Sequence, residues 1–277
     1  MTTIADLIEA RFGFATEAGR RMAGEGAIAR IIGRRSFRKY TADPVPGELR
    51  DILLAAAQSA SAKSDLQQYA IIDIRDQAAK DRLAELSATD WMAEAPVLLV
   101  FCGDIRRVQR IAEMRGKPYA QNTLDSFFNA AVDAALALQC YAIAAEAAGL
   151  GTCAISQVRN RLPEVTELLA LPGGVYPVAG LCAGYPAEKR DVTLRLPPAV
   201  VVHEDRYDDG GLEAEIDGYD QRRHAIRPTA PGRQLMTETY GSAEFYGWSE
   251  NTARRLSAPE ARHRFRAFLE THGFDLA

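Results

Sequence analysis

Thr123-Leu-Asp-Ser-Phe-Phe-Asn-Ala-Ala-Val-Asp-Ala-Ala-Leu-Ala-Leu-Gln-Cys-Tyr-Ala-Ile-Ala-Ala-Glu-Ala-Ala148 is the stretch whose reading decides the fold. Leu124, Phe127, Phe128, Ala131, Ala135, Leu138, Ala142 and Ala145 recur at three- and four-residue steps. That spacing lines one face of a helix. Asn122 or Thr123 is suited to cap the start and Gly149 to end it. The stripe is rich in alanine, which lets another backbone approach closely. Two readings stand: the central helix of a core, or a helix at a subunit interface.

Before this helix, the pattern predicts a helix over 3–23, with Ile4, Leu7, Ile8, Phe12 and Ala15 on one face. A short helical run follows over 27–33. Tyr40 to Pro46 reads as extended, because a proline pushes its predecessor out of the helical region. Pro46 suits the first turn of a helix ending near Ser59, with Leu49, Ile52, Leu53 and Ala56 as its apolar stripe. A polar loop of small residues spans 59–65. Strands are predicted at 69–74 and 96–102, and helices over 77–86 and 106–115. Pro96 to Cys102 is nearly all apolar, as in a strand buried on both faces.

After the long helix, residues 149–156 read as a glycine turn entering a short strand, and 162–169 as a helix. Val175 to Tyr185 reads as a strand with Pro177 near its start, where a missing N–H matters least. Val200 to His203 reads as a short edge strand. Residues 208–226 form a predicted helix, 227–241 a flexible loop, and 248–256 and 262–269 terminal helices. Helices alternating with a few strands about one long helix indicate an α+β domain.

The chain has 277 residues, ample for a sizeable core. Its formal net charge of −4 and pI near 5.7 argue against nucleic acid as a partner. Cys102, Cys140, Cys153 and Cys182 lie far apart with no metal-ligand spacing, and read as reduced thiols of a cytoplasmic protein with no metal. The N-terminal residues lack a signal-peptide layout. No apolar run reaches the roughly 18 residues of a membrane helix, so no membrane partner is expected.

Within this acidic chain stands Arg34-Arg35-Ser36-Phe37-Arg38. Three guanidiniums in five residues suit a small anion such as a phosphate, since arginine is always charged and offers a planar fork of donors. The other reading is a solvated basic face. His203, His224, His263 and His272 are scattered and read as structural or exposed, with no acid–base constellation.

Five blocks occur in an order that resembles the FMN-dependent nitroreductase family, and within it the larger NADPH-dependent nitroreductase/flavin reductase branch. They are Arg34 to Pro46, Ala55 to Gln67, Ala95 to Asp104, Ala148 to Asn160 with Leu171-Pro172, and Gly180 to Ala187 continuing to Arg195-Leu-Pro197. Val202-His-Glu204 and Tyr207 also fit this branch, and the likeness covers roughly residues 30–210. The resemblance implies a central, mostly antiparallel sheet flanked by helices in an intertwined homodimer. It implies an N-terminal helical extension over 1–30, an FMN-binding core over 31–205, and a C-terminal helical extension over 206–277. This last segment would belong to the same domain as a dimer arm or NADPH-side lid.

Under the same resemblance, Arg34, Arg35, Ser36 and Arg38 lie near the phosphate, ribityl chain and pyrimidine edge of FMN, and Arg195 against the phosphate. Ser61, Ala62 and Lys63 form a loop touching the flavin from the partner subunit, with Lys63 either donating to it or projecting into solvent. Gln67 either approaches the flavin or is a strand-start side chain. Backbone N–H groups of Ile155, Ser156 and Gln157 face the flavin edge. Near relatives often carry glycines where this chain has Ser156 and Gln157, which bears on substrate range. Arg222 and Arg223 either bind the extra phosphate of NADPH or are exposed helix charges. No side chain is assigned a catalytic role, because the cofactor carries the chemistry.

The implied function is FMN-dependent NAD(P)H oxidoreduction, with NADPH or NADH as donor and nitroaromatics, quinones or free flavin as acceptors. The alternatives are a flavin-binding carrier with little turnover, or a reductive dehalogenase or dehydrogenase of a specialised substrate.

Overall fold

A computed structural model describes residues 2–258 and 264–276. Its helices run α1 (Ile4–Phe12), α2 (Gly26–Gly33), α3 (Gly47–Gln58), α4 (Gln77–Leu86), α5 (Arg106–Met114), α6 (Leu124–Ala147), α7 (Leu162–Leu168), α8 (Pro198–Val201), α9 (Leu212–Ile226), α10 (Thr237–Tyr240), α11 (Trp248–Leu256) and α12 (Phe265–Thr271). The strands are β1 (Tyr69–Ile74), β2 (Val97–Asp104), β3 (Gly151–Ile155) and β4 (Val175–Gly184). The chain divides into two compact units, neither contiguous in sequence. Unit 1 comprises Met1–Arg34 and Asp191–Glu260, and unit 2 comprises Arg35–Arg190 and Ala261–Ala277. These limits differ from the three-part division expected at residues 30 and 205, because the N-terminal segment joins the post-190 segment in one unit.

In unit 2 the strands pair antiparallel in the order β1-β2-β4-β3. Every residue of β2 is buried, as its continuous apolar run predicts. Its side chains feed two cores. Val97, Leu99 and Phe101 meet Ala134, Ala137, Leu138, Tyr141 and Ala145 of α6 on one face. Leu98, Val100 and Cys102 meet Leu83, Met92, Val158 and Val165 on the other. Each fully buried Leu, Val or Phe contributes on the order of 1.5–3 kcal/mol. Pro177 lies in an inner strand. There the register slips, with Phe101 facing Ala179 and Cys102 facing Pro177, so Val178 is skipped in an irregularity beside the proline.

Helix α6 starts under a Thr123 cap and ends before Gly149, whose φ is 86°. By length and composition alone it is apolar enough to cross a membrane. Asp133, Gln139 and Glu146 interrupt the stretch, so it contains no unbroken apolar run of that length. Its packing against β2 and α3 is that of a core helix. Its other side exposes Leu124, Phe128, Val132 and Leu136 at four-residue steps. Helix α3 buries Leu53 and Ala57, while Ile52 of the expected stripe is 57% exposed.

In unit 1, the helix expected over 3–23 stops at Phe12. Gly13 turns left-handed at φ 78° and its N–H closes on the Glu9 carbonyl at 2.7 Å. The chain then doubles back, so that Thr3 bridges Ala23. Residues 200–203 are not a strand. Pro198 opens the turn α8, as proline favours at a helix start. The expected flexible loop over 227–241 is built. Gln234 bonds both ways with Ala243, at 2.8 and 2.9 Å, and the buried Arg254 donates to the carbonyls of Leu235 and Gly241. Of the terminal helices, α11 has the expected limits. The start of the last predicted helix, including Arg262 and His263, lies outside the described residues.

Candidate functional site

Unit 2 holds Arg35, Ser36 and Arg38 in extended chain along the outer edge of β3. Ser36 bridges Thr152 in parallel, and the Phe37 N–H donates to the Thr152 carbonyl at 3.0 Å. The Phe37 ring packs on Gly151, where an added Cβ would stand 2.6 Å from Cγ of the ring. Glycine is therefore required there. The Tyr40 hydroxyl donates to the Phe37 carbonyl at 2.7 Å, and its buried setting pushes the phenol well above its ordinary pKa. Arg35 and Arg38 remain exposed. Arg35 Nη1 donates to the Arg190 carbonyl at 2.8 Å, and Arg38 lies 6.0 Å from the Trp91 ring centre. Strand β3 ends at buried Ile155, followed by exposed Ser156 and Gln157. The bridge thus joins two of the predicted blocks on one strand edge.

The loop 61–67 is organised by a residue that sequence reasoning missed. Asp133, 1% exposed on α6, accepts the Lys63 N–H at 3.0 Å and the Gln68 N–H at 2.9 Å. Ser64, Asp65 and Gln67 all have positive φ, of 49°, 58° and 50°. Such backbone costs energy unless its surroundings hold it. Lys63 points outward and pairs with Asp125 at 3.3 Å. Ser61 is exposed and Ala62 half-buried, and exposed Gln67 donates to Asp65 at 3.0 Å. Among the described residues, no hydrogen bond, ion pair or ring contact joins this loop to Arg35, Ser36 or Arg38. The only signal for Asp133 was a carboxylate within an otherwise apolar helical stretch.

Unit 1 holds Arg34 and Arg195, and Arg11 draws their segments together. Arg11 is 5% exposed. Its guanidinium donates to the Ile32 carbonyl at 2.6 and 2.9 Å, to Thr193 at 2.8 Å, and to Arg34. Its own carbonyl accepts the Arg195 N–H at 2.8 Å. Arg11 sits where Ile4, Leu7 and Ile8 continue the apolar stripe of α1, an anomaly visible in the sequence. The exposed Arg195 side chain donates to Thr193 at 3.3 Å.

Arg222 and Arg223 are not brought together, since successive residues of a helix diverge. Arg222 stacks over Phe14 at 5.7 Å. Arg223 bonds the Tyr219 hydroxyl at 2.9 Å and lines a 130 Å³ cavity with His224 and Arg227. His203 stacks on Tyr207 at 4.5 Å, His224 on Phe245 at 4.9 Å, and His272 on Phe268 at 5.0 Å. All four cysteines are free, and burial pushes the Cys102 thiol up to about 12. Among the described residues, no cluster of His, Cys, Asp and Glu is arranged to hold a metal.

The antiparallel sheet, the long core helix and the edge segment at 35–38 define an α+β protein of the nitroreductase fold. The chain belongs to the Nitroreductase family. That family's pattern matches residues 31–91 and 86–185, and the pattern of the Nitroreductase family, C-terminal domain, matches residues 194–277. The chain is similar to the FMN reductase [NAD(P)H] of Bacillus subtilis (strain 168). The two are 34% identical over 254 residues, covering 89% of this chain and 97% of that one. It is 40% identical over 182 residues to the oxygen-insensitive NADPH nitroreductase of Salmonella typhimurium, covering 65% of this chain and 74% of the relative. Among solved structures, the NADPH:FMN oxidoreductase from Vibrio harveyi complexed with NAD+ superposes with a TM-score of 0.74. The two are 31% identical, and 89% of this chain and 97% of that chain are covered.

Proposed function

We propose that this chain is an FMN-dependent NAD(P)H oxidoreductase that reduces nitroaromatics, quinones or free flavin by two-electron transfer. The observation that carries the reading is the Ser36–Thr152 bridge, which sets exposed Arg35 and Arg38 along the strand leading to Ile155, Ser156 and Gln157. A phosphorylated isoalloxazine needs cationic forks at one end and backbone donors at its ring edge, and these residues have that chemistry. FMN, when bound, supplies the two-electron carrier. Arg35, Ser36 and Arg38 bind its phosphate, ribityl chain and pyrimidine edge. A cation at the pyrimidine edge also tunes the cofactor's potential. Backbone N–H groups of Ile155 to Gln157 orient the ring, and the Gln157 side chain narrows the range of acceptors.

The protein works as a homodimer in the cytoplasm. The exposed face of α6 packs on a second copy, and Ser61, Ala62, Lys63 and Gln67 serve the partner's flavin. Segments 1–30 and 206–277 extend the core of residues 31–205, the latter as a dimer arm and donor-side lid. Arg223, with its half-buried neighbour Arg222, favours NADPH over NADH as donor.

Flavin binding provides the test. The purified protein is expected to be yellow, or to take up about one FMN per chain after desalting. Arg35→Ala is expected to weaken retention about tenfold in equilibrium dialysis, the loss of one charge-assisted bond or more. A colourless protein that FMN cannot load would overturn the reading, and unchanged retention in the variant would remove Arg35 from the site.

A further inference from the structure

Unit 2 contains a cavity of about 610 Å³ whose lining includes none of the flavin-site candidates. It lies among residues 42–50, α4 and the segment 90–96. Lys80 lines it and is only 7% exposed. Its Nζ donates to the Ala95 carbonyl at 2.8 Å and the Pro96 carbonyl at 3.4 Å. An ammonium has three N–H donors, so one remains. Among the described residues, Lys80 has no carboxylate within ion-pair distance. Arg50, the second cation of the lining, spends Nη2 on Asp73, and its other guanidinium donors have no acceptor among the described residues. A buried ammonium without a counter-ion is costly. Burial, followed by the charge of Arg50, holds the Lys80 ammonium below its ordinary pKa, against the opposing influence of Cys182 and of Asp73, whose carboxylate is taken up by Arg50 and Arg75. The outer lining is of opposite sign: Asp81, Asp90 and Glu94 are exposed, none forms an ion pair among the described residues, and Asp81 accepts the Gln77 side-chain amide at 2.8 Å.

We propose that this cavity is a second small-molecule site, taking a short zwitterion whose carboxylate meets Lys80 and Arg50 and whose ammonium faces Asp90 and Glu94. The carboxylate supplies the missing counter-ion and accepts the remaining Lys80 proton. The outer carboxylates disfavour a polyanion such as a phosphate ester and select a ligand with a positive end. 4-Aminobutyrate, with one carboxylate and one ammonium on a short chain, serves as the probe.

Lysines occur only at positions 39, 63, 80, 117 and 189, so the carbon-13 Cε resonance of Lys80 is readily assigned. Full-length protein is titrated with 4-aminobutyrate, with butyrate, and with sodium chloride at matched ionic strength. The proposal predicts a saturable shift of the Lys80 resonance and a raised Lys80 pKa with 4-aminobutyrate. Butyrate should bind at least about fivefold more weakly, having no ammonium to meet the outer carboxylates. Asp90→Asn with Glu94→Gln, both exposed positions, should weaken 4-aminobutyrate about fivefold and spare butyrate. Arg50→Gln should weaken both ligands. A purely structural Lys80, holding the Ala95 and Pro96 carbonyls, predicts no saturable shift with any probe. That result overturns the proposal, as would equal responses to 4-aminobutyrate and butyrate, or a response to salt alone. The wild-type titration and the outer-carboxylate variant decide the matter without any substitution of Lys80.

Discussion

Arg11 shows how one side chain can order a site that it need not touch. Its guanidinium bonds carbonyls of the segments carrying Arg34 and Arg195, one of them 182 residues away. Replacing Arg11 with methionine removes four hydrogen bonds to these part-buried carbonyls, at an expected cost of about 1–3 kcal/mol. Urea unfolding would measure it, and FMN retention should fall with it. Asp133 does the same for loop 63–68, so Asp133→Asn, with one acceptor in place of two, should lose about 1–2 kcal/mol. Amide exchange at Lys63 and Gln68 should quicken. At the start of α1, Asp6 completes a capping box with Thr3, and the Thr3 backbone N–H lowers its carboxyl pKa. A lowered acid pKa means stability present above the ordinary value of 3.8 and lost as pH falls through the folded value. Amide exchange in the first turn of α1 should therefore rise in that acid range and not near neutrality. The cluster at 34–38 was legible because its charges are adjacent in sequence. Arg11 and Asp133 were not, because their partners come from distant segments and only folding reveals them.

At the level of elements, apolar runs and helical periodicity gave the strands and most helices, since burial on one or both faces leaves a local pattern. Errors fell where backbone geometry overrules periodicity. The apolar spacing of 3–23 continues past Phe12, but Gly13 and Gly19 take positive φ and the chain turns back. The β-branched run at 200–203 has no strand to pair with, and Pro198 starts a helical turn instead. The loop 227–241 looked flexible by composition, yet its order comes from Gln234, Tyr246 and Arg254, two of which lie outside it. Helix α6 has the core face of the first of its two readings, and the subunit-interface reading is left to experiment. One face is core, while Leu124, Phe128, Val132 and Leu136 are exposed by 52%, 62%, 40% and 40%. An apolar stripe of this kind marks an interaction surface. Phe128→Glu combined with Leu136→Glu is therefore expected to turn a dimer into a monomer in sedimentation experiments, with the helical signal retained. A wild-type protein that sediments as a monomer would remove α6 as the dimer contact.

At the scale of the whole molecule, the two units interleave in sequence, and the division at residues 30 and 205 could not anticipate this. Composition changes near Glu204, but the N-terminal helix belongs with the segment that follows Arg190 because backbone and Arg11 hydrogen bonds join them. Arg34 and Arg195 belong to unit 1, and Arg35, Ser36, Arg38 and Ile155 to Gln157 belong to unit 2. The central claim is that the strand-edge residues of unit 2 take part in holding an FMN that accepts electrons from a nicotinamide donor. It is tested most directly by mixing FMN-loaded protein anaerobically with NADPH, and separately with NADH, while following the oxidised-flavin absorbance. The account predicts rapid bleaching with NADPH, slower bleaching with NADH, and recovery when a quinone or nitroaromatic is added. Bound flavin that neither donor bleaches would contradict it.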